Sequence, residues 1–326
     1  MISVVIPIYN EEEIISILHR SVRDVMNRIG EPWEVVYVND GSRDSSLQLL
    51  RELQTTDRHV VVVELSRNWG HMGALWSGLQ TAEGDAVILM DGDLQDPPEV
   101  LPELVTAWQG GAQVVTAVRR KRQERRKYLA VLFPLFYKIL GALSDFPIPL
   151  NAGIFGLLDR QAVDSINSLR ECNRYLPGLR AWVGYNTAVV YYDRHDRVGG
   201  EGKLSFVSRI KYAMDAIVSF SYKPLRLSFV LSAISLFLSL VLGTLALMSP
   251  DGSTTGLAAA ILFVGSLVLF SAGIMGEYVG RVYDEVRCRP LSIINKVHRP
   301  DVPYLAQKAK FAQAQASGQN DLVGAA

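Results

Sequence analysis

The sequence predicts an α/β fold: a mainly parallel sheet covered by helices, followed by two apolar helices long enough to cross a bilayer. Three observations carry this expectation. Apolar runs alternate with helical patterns from residue 1 to about 118, which is the signature of strands joined by helical crossovers. The runs are apolar throughout rather than at every second residue, as strands buried on both faces require. Two later stretches, Leu227–Met248 and Gly256–Gly276, contain no charged residue at all.

In chain order, the expected strands are Ser3–Pro7, Trp33–Val38, Val60–Leu65, Ala86–Met90 and Gln113–Ala117. The chain enters the first of them directly, with no basic leader or small-residue cleavage site, so no signal peptide is expected. Each charge-free stretch is long enough as a helix to traverse a hydrocarbon core of about 30 Å. Globular core helices, the alternative, seldom lack charge over so many turns. Ser249–Thr255, between the two, carries one acid and no base, whereas Lys211, Lys223, Arg226, Arg281, Arg287 and Arg289 flank the outer ends. By the positive-inside rule both chain ends lie on the cytoplasmic side. Ser235, Ser239 and Gly243 form a small-residue stripe that suits helix packing within the hairpin or in a homo-oligomer.

Composition narrows the function class. Basic and acidic residues number 33 each, and mean hydropathy is +0.15; this balance argues against a nucleic-acid binder and for buried or lipid-facing segments. Cys172 and Cys288 are far apart, without a CxxC pair or a histidine cluster, so neither a disulfide framework nor a zinc site is expected.

In parallel sheets ligands bind at the carboxyl ends of strands. Those ends read Pro7, Tyr9, Asn10 and Glu11; Asn39, Asp40, Gly41 and Ser42; Ser66, Arg67 and Asn68; and Asp91, Gly92 and Asp93. Asp40-Gly41-Ser42 also fits a plain turn with a helix cap. Asp91 and Asp93 are more specific: two carboxylates one residue apart at a strand end can face one way and hold a hard cation such as Mg²⁺ or Mn²⁺. Such an ion would bridge a pyrophosphate and offset charge on a departing nucleotide.

These residues resemble the polyprenyl-phosphate glycosyltransferases of glycosyltransferase family 2, which include dolichol-phosphate mannose synthases and bacterial polyprenyl-phosphate glucosyltransferases. The resemblance runs through Ser3-Val-Val-Ile-Pro-Ile-Tyr-Asn-Glu11, Val38-Asn-Asp-Gly-Ser42, Leu65-Ser-Arg-Asn68, Asp91-Gly-Asp-Leu-Gln-Asp-Pro-Pro98, Gly202-Lys203-Leu-Ser205 and Gly276-Glu-Tyr-Val-Gly-Arg281, and extends to both apolar stretches. It implies a GT-A (Rossmann-like) fold and inverting transfer from a nucleotide-sugar donor, UDP favoured over GDP, to a polyprenyl phosphate acceptor. By the same resemblance Pro7, Tyr9, Glu11 and Asp40 belong to the nucleoside site, Asp91 and Asp93 to the metal and diphosphate site with Gln95 nearby. Arg119 then stands beside the transferred phosphates, and Lys203 and Ser205 sit in a loop that closes over the site.

The expected organisation is a cytoplasmic catalytic domain over 1–205, an interfacial amphipathic helix over 206–226, membrane helices over 227–276 (227–248 and 256–276), and a cytoplasmic segment over 277–326. The end of that segment, beyond about Ala306, is too poor in apolar anchors to order. The basic run Arg119, Arg120, Lys121, Arg122, Arg125, Arg126 and Lys127, followed by largely apolar Leu129–Leu143, suits contact with anionic membrane lipid; a solvated helix face is the alternative. Phe206–Tyr222 suits either the membrane surface or a core-covering helix. The protein is thus expected at the cell inner (cytoplasmic) membrane, multi-pass, without nucleic acid.

One position departs from the family pattern. Relatives often carry an acid where Asn151-Ala-Gly-Ile154-Phe155 places Ile154, which accepts no proton. A phosphate acceptor needs little help from a base, because it is largely deprotonated at neutral pH. Asn151 or Asp145 could orient it instead. The alternative is a catalytically impaired member acting as a lipid- or partner-binding subunit.

Overall fold

The structure is a computed structural model that describes residues 1–120, 152–169, 171, 176–194, 231, 233–238, 240–241, 244, 253–287 and 289–300. Strands β1 (Ile2–Ile8), β2 (Trp33–Asn39), β3 (Val60–Leu65), β4 (Ala86–Leu89), β5 (Val114–Arg119), β6 (Ala152–Asp159), β7 (Thr187–Tyr192) and β8 (Ile294–His298) form one sheet in the order β7-β5-β6-β4-β1-β2-β3-β8. The helices are α1 (Ile15–Ile29), α2 (Ser46–Thr56), α3 (His71–Thr81), α4 (Leu101–Gln109), α5 (Arg160–Ser168), α6 (Leu176–Trp182) and α7 (Ser253–Arg287). This is the mainly parallel sheet that the apolar runs predicted, in the GT-A-like form that the resemblance implied.

β1 is parallel to both β2 and β4, and every residue of β1, β2 and β3 is buried. Covering both faces is what makes the Val- and Ile-rich runs favourable, at about 1.5–3 kcal/mol per fully buried side chain. α1 presents Ile15, Leu18, Val22, Val25 and Met26 to one face at helical spacing, and Gly30, with φ 78°, ends it by donating its N–H to Met26 O. α3 covers the opposite face with Ala74, Leu75, Trp76 and Leu79.

From β1 the chain winds outward to β2 and β3, then α3 carries it back across the sheet to β4 on the other side of β1. The strand order therefore reverses between β1 and β4. A crevice opens outside the carboxyl ends at such a reversal, and the Asp91/Asp93 loop follows β4.

Three strands were absent from the sequence reading. β6 inserts antiparallel between β4 and β5, β7 adds in parallel outside β5, and β8 pairs antiparallel with β3 at the far edge. The segment after α7 thus returns to the sheet. Ile293 O accepts from Ser66 N at 2.9 Å, the Ser77 and Ser292 hydroxyls are 2.6 Å apart, and His298 Nε2 lies 3.0 Å from the buried Glu64.

α7 runs on past the charge-free window to Arg287. Its stretch Phe263–Arg287 is long and apolar enough to cross a membrane, and none of its most apolar window is buried within the protein. Residues 121–151, Lys203, Ser205, the 206–226 stretch, most of 227–248, both cysteines and the tail from 301 lie outside the described residues.

Candidate active site at the β1/β4 crevice

The loops after β1 and β2 are knitted by side-chain to backbone bonds. Asn10, at φ 53°, accepts from Arg43 N at 2.8 Å, while its own N–H reaches Ser42 Oγ at 3.1 Å. Glu11 N donates to Ser46 Oγ at 3.0 Å. Asp40 is 3% exposed, and its carboxylate accepts from Trp69 N at 2.7 Å, drawing in the loop after β3. Burial raises the Asp40 carboxyl above its ordinary value, with the Trp69 and Gly70 amides opposing. At Gly41, with φ +63°, an added Cβ would stand 2.6 Å from Arg67 C and Asn68 N, so only glycine lets these loops meet. Pro7 is buried in β1, with Tyr9 and Glu11 partly buried just beyond it.

The acidic loop is equally constrained. A Cβ on Gly92 would lie 2.9 Å from Ile8 Cδ1 and 3.1 Å from Pro7 O, so the residue between the two acids passes directly under the end of β1. Leu94 takes φ 56°, rare for a branched side chain, and Gln95 N donates to Asp93 Oδ1 at 3.2 Å. Asp93 is 8% exposed. Asp91 Oδ1 is buried and faces His71 Nε2, at the start of α3, across 3.2 Å. Burial pushes the Asp91 carboxyl up, but the His71 contact and then the charges of His71, Arg194 and Arg119 outweigh it and hold it below the ordinary range. Burial likewise disfavours charged His71, and Asp91, Asp40 and Asp93 together reverse that effect and raise it.

Opposite this loop stands a second set of charges. Asp96, 1% exposed, accepts from the Tyr192 hydroxyl at 2.6 Å. Arg119 Nε donates to the same hydroxyl at 3.1 Å, and its Nη2 is 3.9 Å from Asp96. Arg194 Nε is 3.6 Å from the same Asp96 oxygen. Burial first, and then the Asp91 charge, push Asp96 up to about 6. Burial also raises the Tyr192 phenol, so it stays a neutral donor.

The structure thus gathers Pro7, Tyr9, Glu11 and Asp40 around the ends of β1 and β2, and Asp91, Asp93, Gln95 and Arg119 around the ends of β4 and β5. Asp96, Tyr192, Arg194 and His71 were not singled out from sequence. Asp96 lies in the quoted Asp91–Pro98 stretch, but its relevance appears only when β7 delivers Tyr192. Ile154 packs against the apolar cluster that includes Val114, Leu158, Leu176 and Leu179, so no proton acceptor stands there. Among the described residues no three His, Cys, Asp or Glu side chains form a ready metal cage. A separate open groove of about 930 Å³, lined by Glu12, Ser42, Arg43, Asp44 and Arg51 among others, runs along α2 away from the acid pair.

Comparison with known proteins agrees with this architecture. The profile of "Glycosyl transferase family 2" matches residues 3–166. The chain is 38% identical over 300 residues to the uncharacterized glycosyltransferase YkcC of Bacillus subtilis (strain 168), covering 90% of this chain and 93% of that one. It is 39% identical over 307 residues to the SfII prophage-derived bactoprenol glucosyl transferase of Shigella flexneri, covering 91% and 98%. Among solved structures, the mannosyltransferase PcManGT from Pyrobaculum calidifontis in complex with GDP-Man and Mn²⁺ aligns over 87% of both chains at 19% identity and TM-score 0.44, too loosely to bear on substrate.

Proposed function

The chain belongs to glycosyltransferase family 2, and on that premise we propose that it moves a sugar from a nucleotide-sugar, UDP favoured over GDP, onto the phosphate of a polyprenyl lipid. The observation that carries the reading is the Asp91/Asp93 pair at the strand-order reversal, Asp93 buried and Asp91 partly so, faced by Arg119 and Arg194. The name of the Shigella relative supports a polyprenyl acceptor.

Asp91 and Asp93 suit a divalent cation, Mg²⁺ or Mn²⁺. Among the described residues the buried Asp91 oxygen meets only the His71 ring, at 3.2 Å, and a site with two carboxylates leaves the other coordination positions to phosphate oxygens and water, as Mg²⁺ prefers. When bound, the ion would neutralise charge on the donor diphosphate. Arg119 holds the phosphate oxygens through its guanidinium, and Asp40, Tyr9 and Glu11 line the nucleoside end. Lys203 and Ser205 would close over the site from the later loop. The acceptor phosphate, with a second pKa of about 6, is its own nucleophile: its oxygen bonds the anomeric carbon as the carbon–oxygen bond to the diphosphate breaks, inverting the centre. Ile154 then costs the reaction little, since positioning and charge carry the rate.

The path of the chain supports a membrane hairpin. β8 pairs with β3, so the segments before and after the apolar region lie on one side of any bilayer. Crossings by the chain between residues 194 and 294 would then come in an even number, which α7 and the 227–248 stretch would supply as two. Basic flanks favour the cytoplasmic face of the inner membrane for both, with the small-residue stripe available to a homo-oligomer.

Transfer of radiolabelled sugar from a panel of UDP- and GDP-sugars into organic-extractable undecaprenyl phosphate, by the detergent-purified protein with Mg²⁺, Mn²⁺ or EDTA, tests the reading. We expect metal-dependent labelling that falls about a hundredfold or more in Asp93→Ala with folding retained. Undiminished labelling in that variant removes the metal pair. No labelling from any donor, with nucleotide still bound, favours the second reading that Ile154 raises, a catalytically impaired lipid- or partner-binding subunit.

A further inference from the structure

We propose that Arg194 is a second phosphate-binding residue of this site, forming with Arg119 a two-pronged clamp anchored on the buried carboxylate of Asp96. The inference deepens the transfer reading above and rests on it for the identity of the ligand.

The clamp follows from strand register. β5 and β7 are parallel with Arg119 opposite Tyr192, and Arg120 N donates to Tyr192 O at 2.9 Å. Arg194, two residues beyond Tyr192, is therefore carried past the same sheet end as Arg119. Both guanidiniums then turn to one oxygen, Asp96 Oδ1, at 3.6 Å from Arg194 and 3.9 Å from Arg119. Tyr192 completes the anchor by donating to Asp96 and accepting from Arg119.

Asp96 alone does not neutralise two guanidiniums, and the charge of both is felt by Asp91 on the other side of the crevice. Nor are the donors used up: Arg194 Nε is buried and makes no hydrogen bond, and its approach to Asp96 is beyond hydrogen-bond length. A buried donor without an acceptor is costly, and a guanidinium fork is the side chain best shaped for a phosphate oxyanion. An anchored pair of such forks beside an acid pair is a built site for phosphate, from either the donor diphosphate or the acceptor monoester. Arg194 touches that phosphate; Asp96 and Tyr192 are positioning residues.

The test compares wild type with Arg194→Ala, Arg194→Lys and Tyr192→Phe, all full-length in detergent, reading kcat, both KM values and thermal midpoint. Arg194→Ala is expected to lower kcat/KM about 10²- to 10³-fold, as loss of one anion-stabilising donor does, at a nearly unchanged midpoint. Arg194→Lys recovers only part, because it keeps the charge and loses the fork. A rise in donor KM assigns the clamp to the diphosphate, and a rise in acceptor KM assigns it to the lipid phosphate; both support it. Tyr192→Phe is expected to lower kcat/KM about tenfold, without the rise in KM that loss of a ligand contact gives. Calorimetric titration with UDP, GDP and inorganic phosphate reads the clamp without any transfer, so an inactive wild type would sink the transfer reading while this arm still decides the clamp. If Arg194→Ala leaves all three affinities and both KM values unchanged, or if Arg194→Lys equals wild type throughout, the proposal is overturned.

Discussion

Arg119 and Arg180 both reach the first residues of β6, one from β5 and one from α6, and the protein balances their charges in different ways. Arg119 Nη2 would lie 3.5 Å from a Cβ on Gly153, and the side chain lies against the bonded Tyr192–Asp96 pair, within the field of Asp91. Arg180, 3% exposed, donates to Ile154 O at 2.5 Å and to Gly153 O at 3.4 Å, and among the described residues no carboxylate is paired with it. Burial alone lowers Arg180 to about 10. A guanidinium matched to a carboxylate at a crevice keeps donors for a ligand, whereas one spent on backbone carbonyls holds a strand in place. On the proposed transfer, the two sites would separate cationic chemistry from cationic scaffolding within a few residues of one strand.

The sharpest way to break that comparison is to remove Arg119. Arg119→Ala is expected to lower kcat/KM by about 10³-fold while the thermal midpoint moves little, because Asp96 keeps Tyr192 and Arg194 as partners. Steady-state transfer kinetics beside thermal denaturation read both quantities. A large fall in midpoint with kcat unchanged per folded molecule would make Arg119 scaffolding as well, and the contrast would vanish.

A middle-sized effect tests how well Asp96 balances the arginines. Folded Asp96 keeps its proton up to about 6, while the unfolded carboxyl releases it near its ordinary value of about 3.9. The folded state therefore binds more protons between those values, so this group's contribution to stability falls as pH rises through that window and is lost above it. The groups facing it are Tyr192, Arg119 and Arg194, with Asp91 across the crevice. Denaturation midpoints measured from about pH 4 to 7 should show wild type losing stability relative to Asp96→Asn, by up to about 2 kcal/mol. The reverse slope would mean that the arginines hold Asp96 ionised throughout and overcompensate its burial.

The acid pair was legible in the sequence and its counter-charge was not, for physical reasons. Strands buried on both faces must be apolar along their length, so β1 to β5 announce themselves, and the polar residues after them mark the crevice. Asp91 and Asp93 carry their meaning in one short stretch. Asp96 draws its role from Tyr192, whose strand β7 alternates exposed and buried residues at a sheet edge and so gives a weaker signal. β6 contains Gly153 and Gly156, which interrupt the apolar run, and β8 is a short, mostly exposed strand. Ile154 was read as a missing acid; its side chain belongs to the apolar cluster over α6, which local sequence does not reveal.

The smallest expected effect on activity comes from Arg180, and it probes the comparison from the scaffolding side. Arg180→Met removes a buried charge whose desolvation is a burden of several kcal/mol, but it also strips Ile154 O and Gly153 O of their donor, at roughly 1–3 kcal/mol for a buried group left unpaired. These terms oppose each other. The chain around β6 is shaped to this side chain, since a Cβ on Gly156 would stand only 3.1 Å from Arg180 Nη1. The shorter-reaching methionine cannot restore the carbonyl contacts, so the balance tips to a loss of about 1 kcal/mol, seen as a midpoint lower by a few degrees. Donor and acceptor KM values should stay at wild-type levels, with kcat/KM per folded molecule falling less than tenfold. A hundredfold fall at an unchanged midpoint would place Arg180 among the residues that act on phosphate, and pairing with a carboxylate would no longer separate the arginines that serve the ligand from those that serve the fold.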